Sequence, residues 1–105
     1  MAREGDTFRV EISQAASDRL YDHVLFLAKV NVDAAMALRD TLLKDIRSLE
    51  SFTYRHPVYE GPYVAPGKYL YMLSAGRYRI LYQVEGDTVF VDDIQDCRQN
   101  QAFEG

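Results

Sequence analysis

The patterned part of the chain begins with a stretch, residues 7–13, in which hydrophobic and polar side chains alternate. Phe8, Val10 and Ile12 are the hydrophobic members, and the residues between them are polar. A period of two is typical of a strand that buries one of its faces. Ser13 follows directly, and serine is a preferred residue for capping a helix. The sequence therefore predicts a short strand that leads straight into a helix.

Two helices are predicted after this strand, because hydrophobic residues now recur at every third or fourth position. Asn31 and Asp33 mark the start of the second helix. The hydrophobic stripes consist of Ala16, Leu20, Val24 and Leu27 in the first helix and of Ala35, Leu38, Leu42, Ile46 and Leu49 in the second. Only a few residues separate the two patterns, so we expect the helices to pack as an antiparallel hairpin.

A loop and three strands are predicted for the rest of the chain. Residues 51–68 contain all three prolines and are rich in aromatic residues, which indicates an ordered loop. Gly86 and Asp87 fit a two-residue hairpin turn, and residues 74–76, "SAG", fit a slightly longer one. The strands that these turns connect are "KYLYMLS", "RYRILYQV" and "TVFVDDIQ".

The predicted order of elements is β-α-α-β-β-β, which is an α+β fold. We expect the N-terminal helical hairpin to pack on one face of a small antiparallel twisted sheet. The 105 residues are predicted to form a single domain, residues 1–105, of a size that buries a core without disulfides or metal. The first strand is expected at an edge of the sheet, although the sequence does not specify its neighbour.

The two-residue turn fixes the register that we predict for the last two strands, in which Arg79 lies opposite Ile94. Continuing through the preceding turn places Tyr71 opposite Arg79. A shift by one residue would move every side chain to the other face. The face expected to pack against the helices consists of Leu70, Met72, Ile80, Tyr82, Val84, Val89 and Val91. The opposite face, called the arginine face below, consists of Tyr69, Tyr71, Arg77, Arg79, Leu81, Gln83, Phe90, Asp92 and Ile94.

The arginine face is expected to combine guanidinium groups with tyrosines and exposed aliphatic side chains. Such a surface suits contact with phosphate and bases, or the anchoring of a partner peptide. The chain has a net charge of −4, so binding to nucleic acid would require a local basic patch. In the alternative interpretation, Arg79 only forms a surface ion pair with Asp92 or Asp96, which contributes about 0–1 kcal/mol.

The sequence gives no indication of secretion, of membrane insertion or of a bound cofactor. Residues 1–10 have no long hydrophobic run, so neither a signal peptide nor a membrane anchor is predicted. Cys97 is the one cysteine and cannot form an internal disulfide, which fits a reducing compartment such as the cytoplasm. His23 has no histidine or cysteine near it, so no metal site is predicted.

One combination of segments runs from about Phe8 to Arg98: "ISQAASDRLYDHVLFL", "AAMALRDTLLKDIRSLE", a loop with prolines, "YRILYQVEGDTVFVDDI" and a closing arginine. This combination resembles the RelE/ParE superfamily of bacterial toxins, the toxic halves of type II toxin–antitoxin pairs. The resemblance implies a growth inhibitor that a cognate antitoxin protein neutralises. Two very different activities are found within the superfamily.

The RelE-like branch cleaves mRNA in the ribosomal A site without a metal ion. A 2′-hydroxyl attacks the adjacent phosphate, so the enzyme must transfer protons and stabilise a pentacovalent phosphate. In this branch Arg79 and Arg98 match the catalytic arginines, which stabilise the phosphate charge. Two features of the branch are absent here. The RelE-like pattern has lysines on the strand before "YRILYQV", where this chain has only Lys68 at the start of the strand. The RelE-like pattern also has a Tyr or His after the closing arginine, and "QNQAFEG" after Arg98 contains neither.

The ParE-like branch binds DNA gyrase and poisons it, and it needs no catalytic site of its own. The long paired helices, and "AAMAL" at residues 34–38, are closer to this branch, which we therefore favour. A third alternative is a non-toxic remnant that only binds antitoxin. An antitoxin is expected to cover either the outer side of the helix pair or the arginine face. The predicted contact residues on that face are Tyr69, Tyr71, Arg77, Leu81, Phe90 and Ile94.

Overall fold

The computed structural model describes residues 7–98, and within them it confirms the predicted order of elements. The helices are α1 (Gln14–Ala28) and α2 (Val32–Ser48). The strands are β1 (Arg9–Ile12), β2 (Leu70–Ser74), β3 (Tyr78–Glu85) and β4 (Thr88–Asp96), and Thr53–Arg55 forms one 3₁₀ turn. The helical hairpin therefore precedes the three strands of the meander.

Both predicted helix caps are present. The Ser13 hydroxyl accepts a hydrogen bond of 3.0 Å from the Ala16 N–H, and the Asn31 side chain accepts one of 2.9 Å from the Ala34 N–H. Each bond satisfies an N–H group that the first turn of a helix leaves without a partner. Residues 29–31 connect the two helices, which pack together. Neither α1 nor α2 has the length and hydrophobicity that crossing a bilayer requires.

The hydrophobic core lies between the helical hairpin and one face of the sheet, as predicted. Full burial of one large aliphatic side chain contributes roughly 1.5–3 kcal/mol, so the stripes on both helices are strongly stabilising. The buried residues of the core are Phe8, Ala16, Leu20, Leu38, Leu42, Ile46, Leu49, Tyr78, Ile80, Tyr82, Val89, Val91 and Ile94. Leu70, Met72 and Val84, which were predicted on the same face, pack against them.

The sheet has the strand order β1-β4-β3-β2, with β1 at an edge as expected. β1 runs parallel to β4, with Val10 opposite Val89 and Ile12 opposite Val91. The predicted antiparallel pairing is confirmed for β2, β3 and β4, and the parallel pairing of β1 corrects the sheet as a whole to a mixed one. An alternating sequence determines which side chains of a strand are buried, but it determines neither the neighbour of that strand nor its direction.

A β-bulge in β4 changes the register that the turn predicts. The ladder is regular from the turn as far as Tyr82 and Val91, but Leu81 then pairs with Asp93 instead of Asp92. A bulge places two residues of one strand opposite one residue of its partner, which shifts the side chains beyond it. Ile94 consequently lies in the core and is fully buried, so its predicted place on the arginine face is wrong.

The loop before β2 is ordered, as predicted, and it pairs with the outer edge of that strand. The Tyr59 N–H donates to the Tyr69 carbonyl at 2.8 Å, and the Tyr71 N–H donates to the Pro57 carbonyl at 3.0 Å. Val64 of this loop packs with Tyr59 against the arginine face. The loop therefore covers part of the surface that was expected to be exposed.

Two of the predicted contact residues are buried beneath this loop. Tyr69 is 3% exposed and Leu81 is fully buried, and the two pack together with Tyr59, Val64 and Tyr71. Both residues lie on the face where they were predicted, but the prediction that they are exposed is wrong. The reason is that burial of hydrophobic side chains is favourable, so the aromatic loop packs over those on the outer face of the sheet.

Candidate functional site

Arg79 lies beside two tyrosine rings on the helix-free face of the sheet. Its guanidinium carbon is 5.3 Å from the centre of the Tyr71 ring and 5.4 Å from the centre of the Tyr59 ring. Its Nη1 donates a hydrogen bond of 3.2 Å to the side-chain oxygen of Gln95, the residue opposite it on β4. Both distances are within the range of cation–π interactions. These four residues are called the arginine site below.

No carboxylate compensates the charge of Arg79 within residues 7–98. The ion pairs among these residues join Arg19 to Asp93, Arg39 to Asp40 and Arg77 to Asp96, and none of them includes Arg79. Asp92 accepts hydrogen bonds from neutral side chains, and Asp96 pairs with Arg77. The alternative in which Arg79 pairs with Asp92 or Asp96 is therefore wrong. Asp93 is also engaged elsewhere, because it lies 3.5 Å from a guanidinium nitrogen of Arg19.

Two N–H donors in the arginine site are buried and have no hydrogen-bond partner in the described part of the chain. They are the Nε of Arg79 and the side-chain nitrogen of Gln95, a residue that is only 3% exposed. A buried donor without a partner costs about 1–3 kcal/mol, so native proteins rarely retain one without a reason. Both groups are donors, and the site therefore favours a ligand that supplies acceptor oxygens.

Asp92, the extra residue of the bulge, organises the neighbouring part of the arginine face. One of its carboxylate oxygens accepts from the Tyr69 hydroxyl at 2.8 Å and from the Gln83 amide at 2.8 Å. Burial, together with this hydrogen bond, raises the pKa of Tyr69 to about 12. The Tyr69 hydroxyl is consequently neutral and engaged at physiological pH, which makes it a poor general base.

Arg77 closes the open end of the β3–β4 hairpin. Its Nε donates to one oxygen of Asp96 at 3.2 Å, its Nη2 donates to the other oxygen, and its carbonyl accepts from the Cys97 N–H at 2.8 Å. Burial alone would raise the pKa of Asp96, but the bonds from Arg77 and from the Arg98 N–H outweigh it and lower that pKa. The Arg77 side chain holds a structural pair, and its predicted contact with a partner stays a prediction.

The remaining predicted residues do not join the arginine site. Phe90 lies on the arginine face opposite Gln83 and is partly exposed. Arg98 is exposed, and of its groups only the N–H is bonded to Asp96 within residues 7–98. Lys68 places its ammonium 5.3 Å from the centre of the Tyr69 ring. The residues "QNQAFEG", in which no Tyr or His follows the closing arginine, lie outside the described residues.

Three residues of structural importance were not expected from the sequence. Tyr59 completes the arginine site from the loop, and its aromatic character was the one available signal. Gln95 reaches the site only because of the bulge. His23 is buried, with its Nε2 2.7 Å from the Ile94 carbonyl and its ring 5.0 Å from that of Tyr78.

In the described part of the chain no three His, Cys, Asp or Glu side chains cluster as metal ligands would.

A second candidate surface lies on the helical hairpin. Large hydrophobic side chains project from its outer side and from its connecting turn, and none of them belongs to the core cluster described above. Their exposed fractions range from 42% to 82%. Exposed hydrophobic residues in such number are typical of a surface that a partner covers. This hairpin patch consists of Tyr21, Leu25, Phe26, Val30, Val32 and Met36.

Comparison with known proteins identifies the family. The family model described as "ParE toxin of type II toxin-antitoxin system, parDE" matches residues 10–101. The chain therefore belongs to the ParE toxin family of type II toxin–antitoxin systems, which confirms the resemblance seen in its sequence. No curated protein matches the sequence significantly.

A solved structure supports the fold. The chain is similar to one chain of the "Chromosomal ParDE TA system from P. aeruginosa", with a TM-score of 0.66 and 15% sequence identity. The match covers 86% of this chain and 96% of the other. At this identity the likeness concerns the fold alone.

Proposed function

We propose that this ParE-family toxin inhibits growth by acting on DNA gyrase, and that a cognate antitoxin neutralises it in the cytoplasm. The observation that carries the proposal is the family match over residues 10–101. Gyrase is the target of the ParE-like branch to which the sequence was assigned. Poisoning another enzyme requires a binding surface but no catalytic groups in the toxin itself.

The chemistry of the arginine site also supports a mechanism without catalysis. Cleavage of RNA requires a general base and a general acid near the scissile phosphate. Tyr69, on the same face of the sheet, donates its hydroxyl proton to Asp92 and has a pKa of about 12. The imidazole of His56 lies 6.2 Å from the Tyr82 ring on the helix-covered side of the sheet, and burial lowers its pKa. Neither Tyr69 nor His56 is therefore suited to transfer a proton at a phosphate bound by Arg79.

The hairpin patch is the surface that fits an antitoxin best. Leu81 and Ile94 were the aliphatic contacts expected on the arginine face, and both are fully buried. The outer side of the helix pair, the other expected surface, exposes Leu25 by 60% and Phe26 by 63%. An amphipathic segment that covers these side chains would gain about 25 cal/mol for each Å² of hydrophobic surface buried.

One observation favours a second candidate function, ribosome-dependent mRNA cleavage. Arg79 has no carboxylate partner, and Tyr59 and Tyr71 beside it could stack on bases. In that mechanism Arg79 and Arg98 would stabilise the phosphate. Arg98 makes no side-chain contact with the arginine site within residues 7–98, which is why this function takes second place.

Induced expression in bacteria, with and without the antitoxin encoded beside the gene, tests both functions in one culture. The gyrase mechanism predicts growth arrest, double-strand DNA breaks and an SOS response, with transcripts left intact. Without the antitoxin, the same arrest is expected for Arg79→Met, because gyrase poisoning does not require a catalytic arginine. Codon-positioned transcript cuts that disappear in Arg79→Met would instead support the endonuclease. Normal growth in the presence of abundant folded protein would overturn both.

A further inference from the structure

We infer that the arginine site binds a carboxylate side chain of the antitoxin, so that the antitoxin contacts the helix-free face as well as the hairpin patch. The inference rests on the proposed neutralisation by an antitoxin. It assigns a ligand class, a single carboxylate, to a site formed by Arg79, Tyr59, Tyr71 and Gln95. Three features of the site carry the inference.

The first feature is the distribution of charge around Arg79. The neighbouring arginines have carboxylate partners, since Arg77 binds Asp96 and Arg19 contacts Asp93. Arg79 is also partly buried, yet within residues 7–98 its one hydrogen bond is to a neutral amide. A guanidinium removed from water without a counter-charge gains strongly from an anion, and its planar fork matches the two oxygens of a carboxylate.

The second feature is the pair of unmet donors. The side-chain oxygen of Gln95 accepts from Arg79, so the unpartnered nitrogen of the same amide lies next to the guanidinium. The Nε of Arg79 is the other unpartnered donor. Two acceptor oxygens would satisfy both groups. Tyr59, whose ring lies beside the guanidinium, belongs to the loop that covers the arginine face rather than to a strand, and we expect this ring to move when a ligand binds.

The third feature distinguishes a carboxylate from the phosphates of a nucleic acid. Asp92 lies on the same face, and its hydrogen-bond donors, Tyr69 and Gln83, are neutral side chains that bring no positive charge to it. The chain as a whole has a net charge of −4. A nucleic acid would bring a row of phosphates against this negative surface. A single side chain brings one charge to Arg79, the one partly buried arginine of residues 7–98 without a carboxylate partner. A protein carboxylate is therefore the better match.

The test measures binding of the purified protein to the antitoxin from the neighbouring reading frame by calorimetry at two salt concentrations. We expect Arg79→Met to weaken binding at least tenfold and to reduce its salt dependence, because a charge-assisted contact is lost. Arg55→Met is the matched control. Arg55 is an exposed arginine that also stacks on one ring, 4.4 Å from the centre of Phe52, and its replacement should change the affinity less than twofold. Thermal unfolding verifies that both variants fold.

A double-mutant cycle then identifies the ligand. Each Asp or Glu of the toxin-binding part of the antitoxin is replaced by Asn or Gln, and each replacement is combined with Arg79→Met. One acidic residue should couple to Arg79 by at least fivefold in affinity. Equal binding of Arg79→Met and wild type, or weakened binding with no coupled acid, would overturn the inference. Arg79-dependent binding of inorganic phosphate or of a short oligonucleotide, without a coupled acid, would show the site to be a phosphate site instead. Failure of the wild-type protein to bind the antitoxin would instead overturn the proposed neutralisation. The experiment therefore distinguishes failure of the proposed function from failure of this inference.

Discussion

The guanidinium carbon of Arg79 lies 5.3 Å from the centre of the Tyr71 ring, although the residue opposite Arg79 on β2 is Leu73. The two residues are therefore diagonal neighbours on adjacent strands, a separation that long side chains can bridge. The prediction that Tyr71 lies directly opposite Arg79 was wrong by two positions. A shift of two residues keeps a side chain on its face, which is why the contact itself is present.

The Tyr59 ring can lie beside Arg79 because Gly61 has no side chain and leaves room for the ring. A β-carbon at position 61 would lie 2.5 Å from Cε2 of the Tyr59 ring, so Gly61→Ala should push this ring away from Arg79. Because the ring is the mobile end of a side chain, the free energy of unfolding should change by less than about 1 kcal/mol. NMR contacts between the Tyr59 ring and the Arg79 side chain should disappear in the variant.

Gly67→Ala is the matched control for this prediction. Gly67 has a φ of 75°, a backbone conformation that alanine disfavours, so Gly67→Ala should lower the free energy of unfolding by about 1 kcal/mol. An added β-carbon at Gly67 would meet nothing within 4 Å, so the Tyr59 ring should stay in place. In a Tyr59→Ala background, Gly61→Ala should no longer have an effect at the arginine site. Retention of the Tyr59 contacts in Gly61→Ala would contradict the proposed packing.

The carboxylate of Asp92 is predicted to stabilise the bulge region through Tyr69. Asp92→Ala leaves the buried Tyr69 hydroxyl without its acceptor and should lower the free energy of unfolding by about 1–3 kcal/mol. Tyr69→Phe should remove part of this loss, because the unsatisfied hydroxyl is gone while the Gln83 amide still lacks its acceptor. Urea unfolding of the two single variants and the double variant checks the coupling, and strictly additive losses would argue against it.

The pair of Arg77 and Asp96 makes stability depend on pH in the acid range. The pKa of Asp96 is lower in the folded protein than its value of about 3.9 in the unfolded chain. Its stabilisation is therefore present above about pH 4 and is lost as the pH falls through the folded value. Asp96→Asn should cost about 1–3 kcal/mol at pH 7 and should flatten the acid limb of the stability curve.

Asp40→Asn provides the comparison for this pH profile. Asp40 also pairs with an arginine, Arg39, but its side chain is 70% exposed. Solvent screens such a pair, so the substitution should change the free energy of unfolding by less than about 0.5 kcal/mol. Denaturant unfolding between pH 7 and pH 2.5 measures all three proteins. The account of the buried pair fails if Asp40→Asn and Asp96→Asn give the same profile.

The hairpin patch is predicted to serve binding rather than stability. Leu25 is 60% exposed, and Leu25→Ser should leave the free energy of unfolding within about 0.5 kcal/mol of wild type. The same variant should bind the antitoxin at least tenfold more weakly. Leu42 is fully buried on the facing helix, and Leu42→Ala should lose about 2–5 kcal/mol of stability. Unchanged antitoxin affinity in Leu25→Ser would locate the partner elsewhere.

The sequence was sufficient for the helices, their caps and the inner face of the sheet. Helical spacing identified the buried stripe that includes Leu42, and Ser13 and Asn31 were recognisable caps. These features depend on local composition and on a repeated period. The turn before Thr88 also fixed the register of the last two strands as far as Val91.

The features beyond that point could not be predicted because they depend on contacts between distant segments. A bulge leaves no mark in a sequence where Asp92 and Asp93 are adjacent and chemically alike. The burial of Tyr69 results from a loop that folds back over the sheet. The parallel pairing of β1 with β4 is likewise a property of the whole topology.

The most direct test of the proposed target uses purified components. The protein is mixed with bacterial DNA gyrase, ATP and supercoiled plasmid, and the reaction is stopped with detergent and protease. The account predicts that linear plasmid accumulates with increasing protein, and that prior addition of the antitoxin prevents it. Intact plasmid throughout, while the same preparation cuts mRNA on translating ribosomes, would contradict the gyrase mechanism.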